Sequence, residues 1–421
     1  MSSNGREIVI IGGGLTGLTC ALSLQKSGLN VKLLEATDRV GGRVKTDQVE
    51  GFRLDRGFQV FQDSYPTAGK WLDLKQLNLR GFRNGCLLRG DGGFTQIADP
   101  WRNPLLALTG LVSPPGNFAD FWQMAKFRNR VLQEKEVYKW LEAPQTTSLE
   151  RLRQSGFSES IIEDFFKPFL GGVFLEKDLE TSSRMLDFVF SMFSRGSATL
   201  PADGMEAIPR QLAKQLSAGT IRTQTTVASL RDGDVILDDG TEVKADAVVI
   251  ATEMPAAARL LQQNTSSNFR QTQCVYFDVA NAPIEAPVLV LNRNNESVVS
   301  SLCCPNRVQP SYSPEGRTLV SVTSVGPLNC SAESHLKAVR DELRGWFGSE
   351  VDRWRHLATY NIPYALPDQG LATMDPVAKS PKVRERLYQC GDYCDTRSID
   401  GAMRSGERAA QAVLQDLKAR G

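Results

Sequence analysis

Residues 7–36 read EIVIIGGGLTGLTCALSLQKSGLNVKLLEA, and this stretch decides the fold. Ile8 to Ile11 form an unbroken apolar run of strand length, about Leu15 to Lys26 carry a helical pattern, and Val31 to Leu34 repeat the apolar strand, giving a βαβ unit. Between strand and helix, Gly12, Gly14 and Gly17 satisfy G-x-G-x-x-G. The first glycine permits the tight turn, the second lets backbone approach a pyrophosphate, and the third lets the helix pack on the strand. Leu15 and Thr16 open the helix, whose first N–H groups face a bound phosphate. Glu35 closes the second strand eighteen residues after Gly17, where a carboxylate accepts ribose hydroxyls and repels a 2′-phosphate; Ala36 follows it. These elements stand in register, so we expect a dinucleotide site, although the turn alone does not separate FAD from NAD.

The next residues, ATDRVGGRVKT (36–46), place Gly41, Gly42 and Arg43 directly behind that unit. Here the sequence resembles the flavin-containing amine oxidase, phytoene desaturase and protoporphyrinogen oxidase superfamily, closest to the desaturase-like branch. The resemblance implies that the Gly-Gly-Arg turn wraps the FAD pyrophosphate, with Arg43 offering a guanidinium fork to phosphate oxygens. It extends to GFRLDRGFQVFQDSYP (51–66), where Gly57 would approach the flavin while Phe58, Gln59 and Phe61 look toward ring or substrate. An ordinary strand pair explains these alternating side chains equally well. It extends further to Val227, whose backbone would meet the adenine, and to YQCGDYCDTRSIDGAMRSGERAAQAVL (388–414). In that last stretch Gly391 permits a close turn and Asp392 accepts from the ribityl or phosphate region. Ala402 and Met403 begin a helix whose positive end stabilises charge on the reduced ring.

From about Trp71 to Thr199 the βαβ rhythm gives way to helical patterns, as expected of an inserted domain. Phe121, Met124, Ala125, Val131 and Leu132 share one helical face, with Trp122 and Phe127 beside it, and Thr147 with Glu150 forms a capping-box pattern. The Phe, Leu and Met of this region fit either a helical core or an apolar pocket. Residues 225–252 read as short strands turning at Asp232-Gly233 and Asp239-Gly240 and ending in a buried strand at Val248 to Ile250; a helix is expected near Glu206 to Leu216. About Ala282 to Asp375 reads as a sheet forming one pocket wall. The expected fold class is therefore α/β: a Rossmann-like FAD-binding domain (1–75, 200–281 and 376–421) with an inserted mixed α+β substrate domain (76–199 and 282–375).

Composition narrows the function. Across 421 residues, 49 Lys plus Arg against 48 Asp plus Glu leave no basic footprint for nucleic acid. Eight cysteines without a C-x-x-C and only two histidines, His335 and His356, give no zinc framework, and we expect no metal and reduced thiols. The early glycine turn leaves no room for a signal peptide, and Leu105 to Val112 is too short to span a bilayer. The expectation is an intracellular protein, soluble or peripherally membrane-associated, cytoplasmic, or plastid if a transit peptide has been removed. Trp101, Phe118, Phe121 and Trp122 near Lys126, Arg128 and Arg130 offer a surface for such membrane contact.

The resemblance implies FAD, held non-covalently because Cys390 and Cys394 do not match a flavin-attachment sequence. The cofactor carries the redox step and the protein supplies position and electrostatics. The expected substrate is a hydrophobic small molecule, isoprenoid, tetrapyrrole or quinone-like, that is dehydrogenated, desaturated or oxidised by hydride transfer to flavin N5. Two alternatives stand beside this: an amine or amino-acid oxidase, and a non-catalytic FAD-stabilised binding or scaffold protein. Amine oxidases of the superfamily place a lysine near N5, and alignment by eye puts Gln273 there, which weakens the first alternative. No catalytic side chain is named by the sequence, and the oligomeric state is open.

Overall fold

A computed structural model describes residues 5–98, 116–264 and 268–420. Strand β1 (Glu7–Ile11), helix α1 (Leu15–Lys26) and strand β2 (Asn30–Leu34) form the βαβ unit, with β1 and β2 parallel in the register Ile8↔Val31. They sit inside a six-stranded sheet ordered Ile221–Arg222, β2, β1, Ala247–Ile250, Leu387–Gln389, Lys382–Arg384, in which only the last strand is antiparallel. Both faces of β1 are covered, which is why Ile8, Val9 and Ile10 form an uninterrupted apolar run. Gly17 is the contact point of helix and strand. A Cβ there would lie 2.0 Å from the Gly12 carbonyl oxygen, so no side chain fits.

The second sheet has seven strands, ordered Arg355–Pro367, Phe269–Val279, Thr318–Val325, Ser301–Cys303, Leu289–Asn292, Gly85–Gly90, Gly93–Ala98. Helix Ala332–Phe347 covers one face through Val339 and Leu343. Two details differ from the sequence expectation. Phe269–Val279, expected with the dinucleotide-binding part, pairs instead with Thr318–Val325 and Arg355–Pro367, so the chain changes sheet between Ile250 and Phe269. The stretch Gly85–Ala98, expected to be helical, is a hairpin on the edge of this sheet. Its glycines and its Asp91-Gly92 turn favour strand reversal over a helix.

A helical layer, Phe118–Gln133, Ser148–Gln154, Lys167–Phe174 and Ser183–Arg195, packs around Phe127, Phe157, Phe166, Leu170 and Phe188. The expected capping box is present: Thr147 Oγ1 accepts the Glu150 N–H at 3.1 Å, and the Glu150 carboxylate accepts the Thr147 N–H at 3.1 Å. In the first helix the buried apolar residues are Phe127 and Val131; of the expected face Val131 is buried, Met124, Ala125 and Leu132 are partly buried, and Phe121 is exposed. Phe118, Phe121 and Trp122 are exposed, whereas Trp101 and Leu105 to Val112 lie outside the described residues. Among the described residues no helix is long and apolar enough to cross a membrane.

Candidate active site

A single cavity of about 960 Å³ runs from the first glycine turn to the helical layer. Gly12, Gly14, Leu15 and Thr16 line its first end, at the carboxyl ends of the parallel strands, where open α/β sheets bind ligands. Gly17 does not line it, consistent with its packing role. A Cβ on Gly14 would meet no protein atom within 4 Å and would project into open space, so the turn forms a cradle that a side chain would fill. Helix α1 begins at Gly14 without a side-chain cap, leaving its first N–H groups to a ligand.

Glu35 and Ala36 line the same end. One Glu35 oxygen accepts the Gly13 N–H at 2.7 Å, and the other accepts the Thr37 N–H at 3.0 Å and the Thr37 hydroxyl at 2.6 Å. A carboxylate has about four lone-pair sites, so one remains for a ribose hydroxyl. Thr37 escaped the sequence reading, although a threonine two residues after the strand-end carboxylate is within local hydrogen-bond reach.

Gly41 and Gly42 bring the second turn onto the first, with the Gly41 N–H donating to the Gly13 carbonyl at 2.9 Å. Arg43 then reaches across the cavity: Nη2 lies 2.7 Å from Asp392, Nε lies 3.4 Å from Glu253, and Nη1 donates to the Ala365 carbonyl at 2.9 Å. Burial opposes the Arg43 charge, but Asp392, with Glu253 and Tyr393 adding to it, outweighs that and the guanidinium pKa is raised. Burial raises the Glu253 carboxyl despite Arg43 beside it. Glu253 was not expected from the sequence; its place just past the strand Ala247–Ile250 is the signal that pointed there.

Gly57, Phe58 and Gln59 line the middle of the cavity, and the Gln59 amide donates to the Arg43 carbonyl at 3.0 Å, tying the two motifs together. Phe61, expected to face the ring or substrate, is buried in the core instead; Gln62 faces the cavity in its place. Val227 lines the cavity beside Thr225 and Thr226.

At the other end Gly391, Asp392 and Ala402 contribute to the wall. The C-terminal helix (Ile399–Ala419) starts at Ser398, whose hydroxyl accepts the Gly401 N–H at 3.0 Å. The Ala402 N–H is already given to the Ser398 carbonyl at 2.8 Å, and Met403 is buried in the core away from the cavity. The first-turn N–H groups outside the helical ladder therefore start at Ile399 and Asp400, earlier than the expected Ala402 and Met403. Arg397, immediately before the cap, lines the cavity as well.

Beyond this point the walls turn apolar: Phe165, Phe169, Phe188, Phe190 and Met192 come from the helical layer, and Leu289 and Leu291 from the seven-stranded sheet. Gln273 is not among the lining residues. Its amide donates to the Gly326 carbonyl at 3.0 Å and to Asn361 Oδ1 at 3.3 Å, while Thr272, one residue earlier, faces the cavity. Adjacent strand residues point to opposite faces, so an alignment one residue off exchanges wall for interior. Among the described lining residues the only lysine is Lys45, at the Glu35 end. Neither histidine lines the cavity. Cys390 and Cys394 are buried and outside the lining, with burial pushing the Cys394 thiol up to about 12.

A family model for flavin containing amine oxidoreductases matches residues 15–414. The chain is 23% identical over 380 residues to a coproporphyrinogen III oxidase of Bacillus subtilis, covering 76% of this chain and 77% of that protein. A carotenoid 3,4-desaturase of Haloarcula japonica is 41% identical over 85 residues, 18% of this chain and 17% of the relative. Among solved structures, a putative protoporphyrinogen oxidase from Exiguobacterium superposes with a TM-score of 0.74 at 18% identity, covering 98% of this chain and 99% of that one.

Proposed function

The chain belongs to the flavin-containing amine oxidoreductase family, and from that membership we propose that it is an FAD-dependent enzyme that dehydrogenates a hydrophobic small molecule, with the cofactor held non-covalently. One observation carries this reading: a single cavity joins a dinucleotide cradle to a chamber walled by phenylalanine and methionine. The flavin, when bound, supplies the two-electron acceptor.

The residues of the chain have separate tasks. Helix α1 and the turn at Gly12–Gly14 bind the diphosphate through backbone N–H groups, and Glu35 holds a ribose. Arg43, fixed by Asp392 and the Ala365 carbonyl, offers its fork to phosphate oxygens. The start of the C-terminal helix, with Ile399 and Ala402 in the cavity wall, carries a partial positive charge that would favour an electron-rich group held there. The aromatic chamber orients an apolar substrate and keeps bulk water away from the bond being oxidised.

A tetrapyrrole-type substrate is supported by the long match to a coproporphyrinogen III oxidase. The lack of a lysine among the described lining residues near Thr272 argues against an amine substrate that needs such a group. The test has two steps. Acid denaturation should release free FAD into the supernatant; anaerobic addition of coproporphyrinogen III should bleach the flavin by a two-electron transfer, and readmitting oxygen as the terminal acceptor should restore the flavin band and, after three such oxidations, yield the fluorescent six-electron-oxidised macrocycle. Flavin that stays with the precipitated protein refutes non-covalent binding, and bleaching by amines alone refutes the substrate class.

A further inference from the structure

Among the described cavity-lining residues, Gln62 is the one side chain that is buried with neither of its two hydrogen-bonding atoms partnered. It is 3% exposed, and both Oε1 and Nε2 lack a partner among the described residues. A buried amide left in this condition costs on the order of a few kcal/mol, so a cavity filled only by hydrocarbon would leave that cost standing.

Its position is specific. Gln62 pairs with Ala198, just beyond the helix Ser183–Arg195, whose Phe188 and Met192 wall the apolar chamber. Three residues on, Tyr65 lines the cavity together with Ser398, the cap of the C-terminal helix. The amide thus stands where the apolar chamber meets the helix start. Two other lining residues carry an unpartnered atom, Gln369 (Oε1) and Arg397 (Nε). Each keeps other bonds: the Gln369 backbone carbonyl accepts the Ser182 N–H at 2.9 Å, at the cap of the helix Ser183–Arg195, and the Arg397 guanidinium donates to the carbonyls of Asp395 at 2.7 Å and Thr373 at 2.9 Å.

We propose that Gln62 is a specificity-determining residue that selects an apolar ring substrate bearing N–H groups and excludes pure hydrocarbons of similar size. The inference rests on the proposed dehydrogenation of a hydrophobic molecule. In a porphyrinogen, pyrrole N–H groups are donors that the Gln62 carbonyl oxygen accepts, whereas a polyene hydrocarbon offers no partner. Sites built to hydrogen-bond a substrate reject analogues lacking the group far more strongly than apolar sites discriminate by size.

The test compares the wild-type holoenzyme with Gln62→Leu and Gln62→Glu, using coproporphyrinogen III and a C40 polyene hydrocarbon as probes. Three quantities are read: flavin affinity, probe dissociation constant, and KM against kcat. Leucine should weaken porphyrinogen binding by about 10- to 100-fold, the range expected for losing one buried hydrogen-bond partner. It should leave flavin affinity unchanged and bind the polyene as well as or better than the wild type. Glutamate, which keeps an acceptor, should retain more porphyrinogen affinity than leucine. An unchanged ratio of the two probe affinities in Gln62→Leu overturns the proposal, as does a loss confined to flavin affinity, which would make the amide a cofactor ligand. If neither probe binds or bleaches the wild-type flavin while an amine does, the reading of the substrate class fails, and with it the proposal for Gln62.

Discussion

Replacing Gly17 by alanine tests the joint between the first turn and its helix. The added Cβ would lie 2.0 Å from the Gly12 carbonyl oxygen, 3.2 Å from the Gly12 carbonyl carbon and 3.4 Å from the Ala251 Cβ. Protein Cβ atoms essentially never approach a backbone oxygen within 3.0 Å, so the turn and the helix must separate by about 1 Å. Neither partner is free to yield. The helix is packed through Leu18, Ala21 and Leu22, and the Gly12 N–H is bonded to the Leu34 carbonyl at 2.8 Å. Overpacking of this kind costs about 1–3 kcal/mol. The displaced turn also misaims the N–H groups of the cradle, and we expect flavin affinity to fall at least tenfold. Urea denaturation of the apoprotein and a flavin titration followed by absorbance measure the two effects. A Gly17→Ala protein with wild-type flavin affinity and an unchanged urea midpoint would refute the close-packing argument.

Glu35→Gln places an amide N–H₂ where the carboxylate now accepts from Gly13 or Thr37, setting donor against donor. Flavin binding should weaken by about 10-fold or more, read by the same titration, since an unsatisfied buried group costs about 1–3 kcal/mol. Asp55, in the Gly51–Gly57 motif, accepts from Thr46 at 2.5 Å, the Met205 N–H at 2.9 Å and Tyr312 at 2.8 Å, yet burial raises its pKa from 3.8 to about 6. Because the folded state holds this proton more tightly than the unfolded chain, its contribution to stability is largest below pH 3.8 and is lost as pH rises to about 6. The change is about 3 kcal/mol across that window. Asp55→Asn should flatten the pH dependence of the urea midpoint between pH 4 and 6; an unchanged slope would show that Asp55 does not carry it.

The parts of this fold that were legible in the sequence are those set by short-range rules. Gly12 to Glu35, the Gly41-Gly42-Arg43 turn, the Thr147–Glu150 capping box and the Asp232-Gly233 hairpin each follow from spacings of a few residues, and the structure contains these elements. What escaped depends on distant partners. The Arg43–Asp392 ion pair joins residues 349 positions apart, so neither residue alone reveals that the two motifs clasp across one cavity. The parity of a strand is equally hidden: at Gln273 and Thr272, and at Phe61 and Gln62, one residue decides whether a side chain faces interior or cavity. Gln62 could be seen as unpartnered only once the surrounding walls were assembled.

The central claim is that one cavity holds a flavin at its glycine-lined end and a hydrophobic substrate at its aromatic end. An anaerobic titration of the purified holoprotein with coproporphyrinogen III, followed at the longer-wavelength flavin band, tests it most directly. The account predicts a yellow protein whose band bleaches in proportion to added substrate. A colourless protein that FAD cannot reconstitute, or a flavin band that no porphyrinogen or other apolar substrate reduces, would contradict it.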